Sequence, residues 1–136
     1  MASNPQGHLS EHRSELCAYP GAHSIVSHVR VQNRGGTFIG MKCYFDDLCV
    51  DKIEIGKNVT ISYGVYFACH GRKQGHNKIV IRDGAYIGMR TSITARHDIE
   101  IGENAVIGAM TLVNKSIPSG ATAVGVPCRV ISRAES

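Results

Sequence analysis

The chain has 136 residues, enough for one domain. No Trp, three Phe and five Tyr exclude a large aromatic core, and a net charge of +4 from scattered Lys and Arg argues against a nucleic-acid binder. No apolar run approaches the roughly 20 residues of a membrane span.

Residues 1–21 are polar, carry Pro5 and Pro20, and read as an N-terminal arm or cap. The opening Met-Ala-Ser-Asn-Pro-Gln-Gly-His has no apolar signal segment. Five Cys, an odd number with no C-x-x-C pair, give neither a disulfide frame nor a zinc finger, so a cytoplasmic location is expected. Cys43 and Cys49 read as packing residues. Cys69 has no activating pattern around it.

From residue 22 to 131 the chain is read as one repeat domain, irregular from about Ile25 and regular from Thr37. Ile53-Glu-Ile55-Gly-Lys-Asn-Val-Thr-Ile61, Ile79-Val-Ile81-Arg-Asp-Gly-Ala-Tyr-Ile87 and Ile99-Glu-Ile101-Gly-Glu-Asn-Ala-Val-Ile107 are versions of one phrase, and Thr37-Phe-Ile39-Gly-Met-Lys-Cys43-Tyr-Phe45 is a looser one. The inner period is six, with anchors at Ile39, Phe45, Ile55, Ile61, Phe67, Ile81, Ile87, Ile93, Ile101, Ile107 and Val113. Four places after an anchor comes a small or β-branched residue or a Cys in nine of eleven cases; the misses are Gly71 and His97. A period of six is neither helical nor simple strand alternation. It predicts a short strand and a corner repeated around a triangular prism, with the anchor inside, the small residue at the bend and the intervening pair in solvent. Stacked turns supply the core that no single turn can bury. The fifteen Gly are expected at tight corners needing positive φ or close backbone approach.

His70-Gly-Arg-Lys-Gln-Gly-His76 breaks the period and reads as a loop thrown out of a corner, the usual place for function on a rigid scaffold. After Val113, Asn-Lys-Ser-Ile-Pro-Ser-Gly is a turn, Ala121 to Ile131 a final strand-like segment, and 132–136 a tail.

The stretch from Ile101-Gly-Glu-Asn-Ala-Val-Ile-Gly-Ala-Met-Thr-Leu-Val-Asn-Lys-Ser-Ile-Pro-Ser-Gly through Ala-Val-Gly-Val-Pro-Cys-Arg-Val-Ile131 resembles the carboxy-terminal signature of the hexapeptide-repeat acyltransferases. The nearest branch is the galactoside, maltose and sugar O-acetyltransferases, and the resemblance covers about residues 37–131. It implies an all-β, left-handed parallel β-helix, here of about five coils. It also implies a homotrimer, acetyl-CoA as donor, no metal, and a His base acting on a small-molecule or glycan hydroxyl. The left hand comes from the resemblance alone, since parallel crossovers are nearly always right-handed.

His70, in Ile61-Ser-Tyr-Gly-Val-Tyr-Phe-Ala-Cys-His70, matches the family's base. A sugar hydroxyl is a poor nucleophile until its proton is taken, and an imidazole titrating near neutrality suits that task. Asp51 is the nearest match for a carboxylate that orients this His, with Asp46 and Asp47 as alternatives. Lys115 and Arg129 match positions near the CoA phosphates. Gly88 and Ala109 match positions where a small residue admits the pantetheine arm. Tyr86 stands where the family has Trp, and Met89 replaces a smaller residue. The family's acceptor-site Asn has no clear counterpart, its arm is longer and its loop after the His is larger, which leaves the acceptor open. A three-His zinc site of the γ-carbonic anhydrase kind fits poorly, because His70 and His76 are six apart and His97 is distant. Transfer to a sugar amine and a non-catalytic scaffold are the competing readings.

Overall fold

The computed structural model describes residues 30–31 (backbone only), 35–46, 50–69 and 77–133. The expected arm over 1–21 lies outside them, as do Asp47, Cys49, His70 and His76. The described chain is nearly all β. Its strands are two to five residues long: β1 Arg30–Val31, β2 Phe38–Ile39, β3 Tyr44–Phe45, β4 Ile53–Ile55, β5 Thr60–Ile61, β6 Tyr66–Ala68, β7 Ile79–Ile81, β8 Tyr86–Ile87, β9 Ser92–Thr94, β10 Ile99–Ile101, β11 Val106–Ile107, β12 Leu112–Val113, β13 Ala121–Val124 and β14 Arg129–Arg133. A 3-10 turn, Val50–Lys52, precedes β4.

Three sheets form the walls of a prism. The first wall is β1-β4-β7-β10, the second runs β2-β5-β8-β11-β13-β14, and the third is β3-β6-β9-β12. All pairings are parallel except β13 with β14. The register stacks like on like: Ile53, Ile79 and Ile99; Ile55, Ile81 and Ile101; Ile39, Ile61, Ile87 and Ile107; Phe45, Phe67, Ile93 and Val113. Every one of the eleven anchors is at most 1% exposed. Each buried aliphatic contributes about 1.5–3 kcal/mol, and its neighbours in the column remove it from water. Phe45 and Phe67 stack with centroids 4.7 Å apart, widening the core at the amino-terminal end. The small residues at the bends, Val59, Val65, Ala85, Thr91, Ala105 and Thr111, are buried as the period requires, and Cys43 is half-buried.

The corners refine the reading of glycine. At the corner between the first and second walls, positive φ falls on Gly36, Asn58, Gly84, Asn104 and Gly120. An ideal Cβ on Gly84 would meet the Asn104 side chain directly, so the amide of one coil lies over the bare Cα of the coil before. Between the second and third walls the positive φ falls on Lys42, Gly64, Arg90 and Met110. The glycines that follow anchors, such as Gly88, are not among these. A Cβ there would sit 2.6–2.8 Å from Ala109 N, Gly108 C and Ile107 O. Three backbone atoms leave no flexible group to give way, so Gly88→Ala is expected to cost about 1–3 kcal/mol by forcing two coils apart. Urea unfolding with an unchanged slope checks this.

The end of the chain differs from a single terminal strand. β13 continues the second wall, but Gly125–Cys128 turns the chain back and β14 runs antiparallel to it through Arg133, two residues beyond the expected limit. The Val126–Pro127 peptide is cis. Cys128 is 1% exposed and its N–H donates to Leu112 O at 3.0 Å, so this turn plugs the carboxy-terminal end of the core.

Candidate functional site

The candidate residues fall on the two edges of the third wall. At its edge with the first wall, the links between coils carry Asp51 in the 3-10 turn, then Cys69 and Asn77, then His97 and Asp98, then Lys115. Asp51, His97 and Lys115 are exposed. Residues far apart in sequence are thereby set one above another, because the parallel coil returns to the same corner. The neck formed by Cys69 and Asn77 is well fixed. Asn77 N donates to Cys69 O at 2.9 Å, Asn77 Nδ2 to Ala95 O at 2.8 Å, and Ala95 N to Ala68 O at 2.9 Å. Cys69 is fully buried, in keeping with packing. Its N–H donates to Asp46 Oδ2 at 3.0 Å, and Asp46 is also fully buried. The adjacency of Asp46 to this neck has a sequence signal: it directly follows the anchor Phe45, where the later coils carry Ala68, Thr94 and Asn114.

At the other edge, with the second wall, lie Tyr86, Gly88, Ala109 and Arg129. Tyr86 is 44% exposed and accepts from Ser62 Oγ at 3.4 Å. Gly88 is buried beneath Ile107 to Ala109 of the next coil, so coil stacking already explains its small size. Ala109 is exposed at the turn above it, where Met110 N donates to Met89 O at 2.8 Å. Arg129 is exposed where β14 begins, just past the terminal turn. Lys115 is therefore separated from Arg129 by the width of the third wall within one copy.

The walls differ in chemistry. Outside the first wall, Lys78 pairs with Glu54 at 3.3 Å, and Arg82 grips Glu100 through Nε–Oε1 at 3.0 Å and a second bond at 3.2 Å. The Arg82 hydrogen bond holds the Glu100 carboxyl below the usual carboxylate range. Among the described residues, the exposed large apolar side chains all lie elsewhere: Phe38, Tyr86, Val106 and Ile131 on the second wall, Tyr66 on the third, and Met41, Tyr63, Met89, Met110 and Val126 along the corner between them. This apolar corner was not legible as a stripe in the sequence, apart from Met89 as an unusual residue. Arg90 lies over the Tyr63 ring at 5.6 Å. Among the described residues, no group of three His, Cys, Asp or Glu is placed to hold a metal ion, and no helix is long and apolar enough to cross a membrane.

No protein-family model matches the chain. It is 32% identical over 113 residues to the serine acetyltransferase of Bacillus subtilis, an alignment covering 83% of this chain and 46% of the relative. It is 40% identical over 85 residues to the galactoside O-acetyltransferase of Escherichia coli K12, covering 60% of this chain and 41% of the relative. The chain thus spans about half or less of the length of these curated relatives. A hexapeptide-repeat acetyltransferase of Vibrio cholerae, solved in complex with acetyl coenzyme A, superposes over 100% of this chain and 81% of its own, with a TM-score of 0.71 at 20% identity. The fold is the left-handed parallel β-helix that the family resemblance implied. In sequence and in structure, the proteins this chain resembles are hexapeptide-repeat acetyltransferases.

Proposed function

We propose that the chain is an acetyl-CoA-dependent O-acetyltransferase that moves an acetyl group onto a hydroxyl of a small molecule, a sugar or glycan precursor before others. The observation that carries this reading is the 40% identity to a galactoside O-acetyltransferase over 85 residues. A serine hydroxyl is the second reading, favoured by the longer alignment with a serine acetyltransferase, over 83% of the chain.

In this mechanism both substrates bind together and no acyl-enzyme forms. The His70 imidazole takes the acceptor's hydroxyl proton as the oxygen attacks the thioester carbonyl. The tetrahedral intermediate collapses, the C–S bond breaks, and the imidazolium returns the proton to the departing CoA sulfur. Asp51 holds the imidazole in one tautomer. Tyr86 and Ala109 line the path of the pantetheine arm past Gly88, and Lys115 and Arg129 pair with CoA phosphates. A site drawing on both edges of the third wall is completed by a neighbouring copy. Closed threefold association suits the prism, and the apolar corner and its flanking walls are the surface it would cover.

The test is a calorimetric titration with acetyl-CoA, followed by CoA-thiol release with a galactoside, maltose or L-serine as acceptor. Saturable binding with transfer to one of them is expected. Failure to bind at millimolar concentration favours the non-catalytic scaffold. Transfer to a sugar amine in preference to any hydroxyl favours N-acetylation.

A further inference from the structure

The third wall carries two stacked pairs of rings, one on each face. Inside, Phe45 lies against Phe67, and Ile93 and Val113 continue the column, so the level after the second ring is filled. Outside, Tyr44 stacks on Tyr66 with centroids 4.6 Å apart and ring planes 15° from parallel, at the spacing of adjacent strands. The next places in that outer column are Ser92 and Leu112. Ser92 is too short to continue the stack, and Tyr66 is 44% exposed. A slot results, with Tyr66 on one side, half-buried Leu112 on the other and Ser92 as its floor. Tyr66 and Leu112 stand two strand spacings apart, about 9.5 Å. A flat ring touching both at about 3.5–4.0 Å fills about 7–8 Å of this. A puckered pyranose chair is thicker and fills the remainder.

The polar groups agree with a sugar. Ser92 and Thr94 flank the inward Ile93 and face outward, both half-buried. Neither hydroxyl bonds another described residue, whereas Ser116 and Ser119 each accept from a backbone N–H. The outward residues of β3, β6, β9 and β12 (Tyr44, Tyr66, Ala68, Ser92, Thr94 and Leu112) carry no charge. A zwitterionic amino acid finds no counter-charge among them. A pyranose finds a ring for its apolar C–H face and hydroxyls for its rim.

We propose that this slot binds a neutral pyranose ring, stacked on Tyr66 with its hydroxyls meeting Ser92 and Thr94. That the ring belongs to the acceptor rests on the O-acetyltransferase reading above, and the slot then favours a sugar over L-serine. It opens on the wall that the proposed shared site crosses, between the edge of Asp51 and Lys115 and the edge of Tyr86 and Arg129.

The experiment titrates the full chain with maltose and with methyl β-galactoside by saturation-transfer NMR, with L-serine and adenosine as competing probes. Saturable binding of at least one sugar is expected, undisturbed by L-serine. Tyr66→Ala should weaken it about three- to tenfold and Tyr66→Phe less than about twofold, because the ring face rather than the hydroxyl makes the contact. Ser92→Tyr supplies the third ring itself and should abolish sugar binding without lowering Tm, since aromatic neighbours across strands support a sheet. This variant keeps the test decisive if Tyr66→Ala does not fold. No saturable sugar binding by the wild type up to tens of millimolar overturns the proposal. So does sugar affinity within about twofold of wild type in Ser92→Tyr. Adenosine bound more tightly than either sugar, and lost in Ser92→Tyr, also overturns it by assigning the slot to a nucleobase. Sugar binding with the expected losses but no transfer from acetyl-CoA leaves the slot standing and removes the acetyltransferase reading alone.

Discussion

His70→Ala is expected to lower kcat by about two to four orders of magnitude while leaving acetyl-CoA affinity nearly intact. The base acts only as the acceptor's proton departs, so its interaction is stronger in the transition state than in the ground state. Losing it should lower kcat and kcat/KM together rather than raise KM. The residual rate should rise with pH as hydroxide and solvent take over the proton. Steady-state kinetics with acetyl-CoA and whichever acceptor the wild type accepts, beside a CoA titration of the variant, separates the two effects. An unchanged kcat would remove His70 from the mechanism. A kcat that survives only at high pH and only with an amine would favour the N-acetyl reading, because a neutral amine needs less help from a base.

The period of six was legible because a prism imposes it: each anchor must point inward, and all eleven are buried. The second inward residue of the first wall was harder to assign. Ile53, Ile79 and Ile99 lie two places before anchors and are equally buried, since three-residue strands with ends pointing inward bury both. Glycine was legible as a corner residue but for mixed reasons. Gly84 has positive φ under an Asn amide, while Gly88 is demanded by the backbone of the next coil. The terminal hairpin was not legible, because Ala121–Val124 and Arg129–Arg133 carry no mark that says whether the second strand continues the wind or reverses beside the first.

The candidate site was legible as residue types and not as an arrangement. Asp51 and Lys115 are far apart in sequence, yet the coil returns both to one corner. In the sequence Asp51 reads as the nearest match for the orienting carboxylate and Asp46 as an alternative. The structure separates them, one wholly buried against Cys69 N and the other exposed on a 3-10 turn. Hydrogen-bond direction and burial follow from which coil lies above, and a six-residue pattern carries no record of that.

The double change Lys115→Ala with Arg129→Ala is expected to weaken acetyl-CoA binding by one to three orders of magnitude, from about 1.5–3 kcal/mol for each charge-assisted contact. Both side chains are exposed, which places the effect toward the lower end through solvent screening. Raised salt should shrink the difference between wild type and variant. Turnover at saturating acetyl-CoA should hardly change, because groups at the nucleotide end bind ground and transition states alike. The single variants carry further information. The two residues stand on opposite edges of the third wall, and in the proposed shared site a CoA held by both spans two copies of the chain, so each loss should then depend on association. Below the concentration at which copies dissociate, wild-type affinity should fall toward that of the variant. Dephospho-CoA should lose less than CoA on substitution if either cation meets the 3′-phosphate. Calorimetry across protein concentration, with CoA and dephospho-CoA, measures all of these. Normal CoA binding by the double variant would remove the donor groove from this end of the coil, and the Gly125 to Arg129 turn would then serve only to close the core.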